Sequence, residues 1–443
     1  MNRGTSILLL VAMVGGLWAA GPLNHRLTDA RRAYGITQAD PLVNAPPLVV
    51  FTTVALGGFR GIIADLLWMR SARLQYEGRY FELVQLADWI TKLEPRFTDV
   101  WAYHAWNLAY NISVLFTDHL DRWRWVRHGM TLLRDEGIAY NPGEPRLLYE
   151  LGWIFQHKMG GNTDDAHLTY KRMWAEEMQA LLGGERPAYR ELAADPVRLQ
   201  MMTRDYKLDP AVMQEIERRC GPIDWRLPQA HAIYWATMSK KVGRETDIVF
   251  AERMIYQAMV DAFRRGKLFT GADGSLFVPS PHLDLLPYVL KAYEEALANP
   301  SERGTAEAGY RFFLAEAVVV MYLYNRLPEA RDLFDRLRQA DPAIPADQEM
   351  LPFIFQSYTG RGLDMTQDEA YAAVESALYQ SAFWQQLGDG ERAAGYEQMA
   401  ALIWKRFMEP RQDRPDFKLR TGLPPLEEIR TRARARLRES SGT

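Results

Sequence analysis

One short pattern repeats in this chain, and it restricts the fold more than any other feature of the sequence. Gly78-Arg79-Tyr80-Phe81-Glu82-Leu83 is followed by Ala87, Ile90, Leu93 and then Glu94-Pro95. The glycine permits a tight turn between antiparallel helices, the apolar residues recur at helical spacing, and the proline stops the second helix. After Pro95 the pattern restarts with Trp101, Ala105 and Leu108, so the first unit spans about 34 residues, 64 to 97. The second unit has a longer turn around Ser113 to Asp121 and a helix from Arg122 that closes at Asn141-Pro142. The third begins at Pro145, with Leu151, Gly152 and Phe155 in its first helix and Ala166 and Tyr170 in its second, after Gly160-Gly161. A single hairpin of this kind cannot hide its apolar face. Neighbours must stack, which predicts an all-α chain.

These residues resemble the tetratricopeptide repeat. Trp101 stands at the family's early Trp position, Ala105 at its small-residue position and Leu108 at its large apolar position, while His104 departs from the usual Leu. The resemblance covers residues 60 to 180 well and 310 to 410 moderately. It implies a right-handed α-solenoid of helix hairpins whose first helices line a concave groove. Carried over by position, that groove would be formed by Trp68 and Gln75 from the first unit and Tyr103, Trp106, Asn107 and Tyr110 from the second. The third unit would add Tyr149, Trp153, Gln156 and His157. The Lys and Asn set with which some relatives clamp a peptide carboxylate is missing. An aromatic and amide lining suits an apolar or extended segment of a protein partner instead. The competing assignment is that these side chains pack against neighbouring repeats.

The pattern returns as a helix over Tyr310 to Tyr324, a turn at Asn325-Arg326 and a helix from Leu327 that closes at Asp341-Pro342. A last, blurred pair covers Asp368 to Gln386 and Gly390 to Met408, as terminal capping repeats often do. Between the two regions, Gly183-Gly184 opens a polar linker carrying Pro187, Pro196 and Pro210. A helix pair over Leu227 to Lys241 and Glu245 to Arg265 follows, joined at Gly243. Phe269 to Val278, with Asp273-Gly274 at its centre, predicts a small β-hairpin ended by Pro279 and Pro281. Past Pro410, Arg430, Arg432, Arg434, Arg436 and Arg438 recur every second residue and spread around a helix, which suits a solvated terminal helix or a contact with an anionic surface.

Ser6 to Leu23 is an apolar stretch preceded by Arg3 and just long enough to cross a bilayer. Trp18 before Ala20 fits a cleavage site poorly, so an uncleaved signal anchor is expected, with cleavage as the alternative. Arg3 argues for a cytoplasmic start and Arg26, Arg31 and Arg32 for the opposite. The expected location is an inner-membrane type of anchor with an exported, periplasmic domain. The second apolar stretch, Leu48 to Leu56, runs on into Phe59, Ile62, Ile63, Leu66 and Leu67 with Arg60 and Asp65 between them, and reads as an amphipathic helix. The organisation is therefore an anchor over 1–24, a linker over 25–58, repeats over 59–182, an irregular middle over 183–305, repeats over 306–409 and a basic tail over 410–443.

The 53 Lys and Arg residues face 56 Asp and Glu, so no general field attracts nucleic acid. Cys220, the one cysteine, can form neither an intrachain disulfide nor a thiolate metal site alone. Gly57-Gly58-Phe59-Arg60-Gly61 lacks the spacing of a phosphate-binding loop, and no two histidines stand four apart beside a glutamate. His157 and His167, near Asp164 and Asp165, are weak metal candidates, so no metal site and no cofactor is expected. The expectation is a membrane-anchored scaffold that binds protein. A second class stays open: an all-helical glycan-active enzyme of the envelope, in which the aromatics would stack on sugars and two carboxylates would flank the bond.

Overall fold

In the computed structural model, residues 59–270, 277–360, 365–412 and 422–441 are described, together with 26, 29 and 30. The expected anchor, the stretch Leu48 to Leu56 and the hairpin turn at Asp273-Gly274 lie outside them. The described chain is all-α apart from one two-stranded ribbon. Among the described residues no helix is long and apolar enough to cross a membrane. Residues up to Leu151 form one compact unit and residues from Gly152 a second.

In the first unit, α1 (Phe59–Tyr76) and α2 (Tyr80–Leu93) make the hairpin expected around Gly78, whose φ of 72° is the left-handed turn a glycine adopts at little cost. Leu74, Leu83 and Leu86 close its core. The next first helix, α3 (Thr98–Trp106), begins just beyond Pro95. The Pro95 carbonyl accepts hydrogen bonds from Trp101 Nε1 and Asn141 Nδ2, both at 2.9 Å, so segments 40 residues apart are tied to one carbonyl. Trp101 is 1% exposed, which makes the early Trp of the pattern a core anchor. Its partner helix α4 (His119–Thr131) starts three residues before the expected Arg122, because Asp118 caps the backbone N–H groups of Leu120 and Asp121.

The helix expected from Pro145 is present as α5 (Pro145–Trp153), which straddles the division between the units. The second unit continues with α6 (His167–Leu182), ended by Gly183 in the left-handed conformation. The expected polar linker is not a linker throughout. Pro196 and Pro210 start helical segments, with Asp195 and Asp209 as N-caps, and α7 (Pro210–Cys220) buries Val212, Met213 and Ile216. Pro196 and Pro210 are first-turn residues, where the missing N–H has no intrahelical partner to lose, whereas Pro187 lies outside the helices. α8 (Pro228–Val242) is buried at every position from Pro228 to Thr237 and pairs with α9 (Glu245–Arg265) as the core hairpin of this unit.

Strands β1 (Lys267–Thr270) and β2 (Phe277–Ser280) pair antiparallel, with Phe269 opposite Val278 and Leu268 opposite Pro279. Against expectation, Pro279 lies inside the ribbon and does not end it. A two-stranded ribbon has only edge strands, which tolerate a residue without an N–H. Then follow α10 (Leu286–Ala298), α11 (Arg303–Leu323), α12 (Leu327–Ala340), α13 (Met350–Thr359), α14 (Gln367–Gln386), α15 (Gly390–Gln412) and α16 (Leu426–Ser441). The last helix corrects the solvated reading of the basic tail. Ile429, Ala433 and Leu437 recur every four residues, are buried, and seat α16 against α14.

Candidate functional site

Three of the residues assigned to the groove meet in the first unit. The ring of Trp68 on α1 stands edge-on to Tyr103 on α3, with centroids 5.3 Å apart, and lies 6.0 Å from Phe97. The Tyr103 hydroxyl donates to Gln75 Oε1 at 2.6 Å. Burial pushes its pKa up to about 12, so it remains a neutral donor. Helices α1 and α3 are thus in side-chain contact. A further contact has the same meaning, because Arg146 forms an ion pair with Asp99, 47 residues earlier, at the matching point of the preceding first helix.

Trp106 and Tyr110, one helical turn apart, stack with centroids 5.7 Å apart and planes 20° apart. Trp106 is 37% exposed, enough to offer a face of its indole to a ligand. Burial and then Glu150 push the Tyr110 pKa up. Asn107 is placed differently: it is wholly buried, its Oδ1 accepts from Asn111 Nδ2 at 2.9 Å, and its own Nδ2 has no partner among the described residues. Tyr149 is half-buried.

In the second unit Trp153 stacks on His157 with centroids 5.0 Å apart and planes 8° apart. Both pairs consist of a tryptophan followed four residues later by a second ring, and they lie 47 positions apart in the sequence. Burial, then Lys158, lowers the His157 pKa and keeps that ring neutral. Gln156 is buried at 8% exposure, with Oε1 unpartnered among the described residues. Of the three amides assigned to the groove, Asn107 and Gln156 are buried, whereas Gln75 is half-buried and bonded to Tyr103.

Both tryptophans also precede a local widening of the helix. After Trp106 the backbone steps by five residues, with the Ser113 N–H bonded to the Leu108 carbonyl; after Trp153 the Gly160 N–H reaches the Phe155 carbonyl at 2.8 Å. Such π-turns insert one residue into the helix, turn the following side chains, and recur at functional sites. Sequence periodicity alone missed them, because one extra residue within a helix of this length is lost in the scatter of apolar positions.

The histidines near Asp164 and Asp165 are engaged elsewhere. His157 lies on Trp153, while His167 Nδ1 faces Lys171 Nζ at 3.0 Å. Lys171 is buried and also donates to the Gly161 carbonyl at 2.7 Å; desolvation, then Arg265, brings its pKa down to about 7. Asp164 pairs with Lys158 at 2.5 Å, both nearly inaccessible, and accepts from the Tyr170 hydroxyl. Among the described residues, no three His, Cys, Asp or Glu side chains converge to hold a metal ion. Cys220 is buried, and desolvation pushes its thiol up to about 12.

Sequence reasoning also missed an aromatic cluster in the first unit, where Phe81, Phe116 and Trp125 touch pairwise with centroids 6.0–6.3 Å apart. Phe81 is 56% exposed. Phe81 sits inside the quoted repeat motif, but a motif match reports which positions are filled and not which of them face water. No protein-family profile, no curated protein and no solved structure matches the chain.

Proposed function

We propose that this chain is a membrane-tethered scaffold of the tetratricopeptide-like class, whose first-helix aromatics hold an extended segment of a protein partner at the cell envelope. The observation that supports the reading is that each unit carries a tryptophan stacked on a ring four residues later, Trp106 on Tyr110 in the first and Trp153 on His157 in the second. Stacked aromatic pairs present large apolar area at little conformational cost, which is why Trp and Tyr dominate binding hot spots. In this reading residues 6–23 hold the domain at the bilayer and the hairpins form a right-handed solenoid. The tether confines the aromatic surface to the membrane and raises its effective concentration there.

The test is photo-cross-linking in cells, with a photoreactive residue replacing Tyr110 or His157 in the full chain. The expected result is a discrete protein adduct. Trp106→Ala and Trp153→Ala should each weaken capture by roughly 30-fold, about 2 kcal/mol, with the helical circular dichroism unchanged. Binding that is indifferent to both substitutions sinks the proposal. Release of sugar from cell-wall glycan by the purified chain would replace it with the catalytic alternative.

A further inference from the structure

We infer that the groove between the last three helices binds an extended acidic segment of a protein whose carboxylates stand two residues apart. The groove has a volume of about 600 Å³ and lies between α14, α15 and α16. Along one wall run Arg430, Arg434 and Arg438, spaced four apart and therefore one above another on a single stripe of α16. The three do not share one state. Arg430 is neutralised by ion pairs with Glu397 and Glu427. Glu427, the acid that feels Arg434 through space, is already hydrogen-bonded to Arg430. Arg434 and Arg438 make no ion pair among the described residues, although Arg432 and Arg436 on the same helix bond Glu428 and Glu375. Within the described structure, two of the arginines that face the groove are thus the two left without acids.

Spacing then selects the ligand. Four residues of helix rise about 6 Å, so the two guanidinium groups repeat at that interval. In an extended peptide, side chains on one face recur every two residues, about 6.6 Å apart. Acids at alternate positions therefore match both arginines with bidentate geometry available at each. Across the groove Gln385 and Gln386 supply side-chain amides, suited to hydrogen bonds with an extended backbone. Small side chains at Ala382, Ala393 and Ala394 keep the groove open. A bilayer would present phosphates over a plane, and a groove with one charged wall and one amide wall does not favour that arrangement.

The experiment uses the full chain in detergent and fluorescein-labelled decapeptides on a Ser-Gly background, read by anisotropy. One peptide carries two Glu at alternate positions, one carries them adjacent, and one carries Lys instead. Binding should be strongest for alternate Glu, at least about 5-fold weaker for adjacent Glu, and lost for Lys. Arg434→Glu and Arg438→Glu should each weaken binding at least about 10-fold, and the milder Arg434→Gln and Arg438→Gln about 3- to 10-fold, which guards against misfolding as the cause. Arg432→Glu, on the paired side of the helix, should change it less than about 2-fold. Equal affinity for the two Glu spacings overturns the inference. So does equal loss in Arg432→Glu, or binding to phosphatidylglycerol vesicles that needs Arg434 and Arg438 while no peptide binds.

Discussion

His104 stands where the repeat pattern expects leucine, and both its ring nitrogens are buried with no hydrogen-bond partner among the described residues. Desolvation lowers its pKa from an ordinary 6.5 to about 4. As pH falls, the unfolded chain takes up this proton near 6.5, whereas the folded chain resists until about 4. The contribution to stability is therefore complete above pH 6.5 and falls by about 3 kcal/mol between 6.5 and 4. His104→Leu should remove that loss. Urea unfolding at about pH 7 and pH 4.5 should show the stability gap between variant and natural chain widening by about 2–3 kcal/mol in acid; a gap that does not change with pH refutes the assignment. The Lys158–Asp164 pair has the opposite character, being buried and fully matched. Asp164→Asn leaves an uncompensated ammonium inside the protein and should cost about 3–5 kcal/mol in the same assay. Of the candidate site, the rings are legible in the sequence and the burial of Asn107 and Gln156 is not. Which residues are aromatic is read directly from the sequence. Which side of a widened turn an amide faces depends on hydrogen bonds that register does not encode.

At the scale of the element, the strongest pairs can be read from periodicity and turn chemistry together. Glu245–Arg265 and the start of the helix at Leu327 agree with expectation, because a glycine or a positive-φ residue separates apolar runs of helical spacing, as Asn325 does at φ 57°. The middle of the chain misleads, because its Asp-Pro steps look like loop punctuation, although an aspartate before a proline is equally an N-cap before a first-turn residue. Helix crossings show a further feature, glycines that allow close approach. A Cβ on Gly129 of α4 would lie 2.6 Å from the Ala105 carbonyl of α3, and one on Gly395 of α15 would collide with the Leu323 backbone of α11. Gly129→Ala and Gly395→Ala should each destabilise the fold by about 1–3 kcal/mol, since backbone cannot yield as a side-chain tip can. Calorimetry would show a lowered Tm for both, whereas Gly304→Ala, which meets nothing, should not lower it.

For the whole molecule, the repeat pattern conveys the all-α class, and composition conveys no more than a charge balance without a net field for nucleic acid. Its location is a prediction of its own. The full chain should stay with the membrane fraction through an alkaline carbonate wash and leave it in detergent, and removal of residues 1–24 should release it into the soluble fraction. Release by carbonate alone would dispose of the tether. The hairpins turning at Gly78, Gly243, Asn325 and Gly388 are legible because each carries its own turn and apolar runs, whereas the helices Leu286–Ala298 and Met350–Thr359 are not. The division between the units is not, since it falls within a helix, Pro145–Trp153, where no turn marks a boundary.

The position of Cys220 has a practical consequence. A thiol that is buried and held protonated does not react with maleimide while its surroundings stay closed. The native chain should therefore behave as cysteine-free toward maleimide, and a cysteine added at the surface should become a single address for a dye. The same thiol can serve as a clock, because any labelling of the natural protein would count the moments when the helices around α7 part.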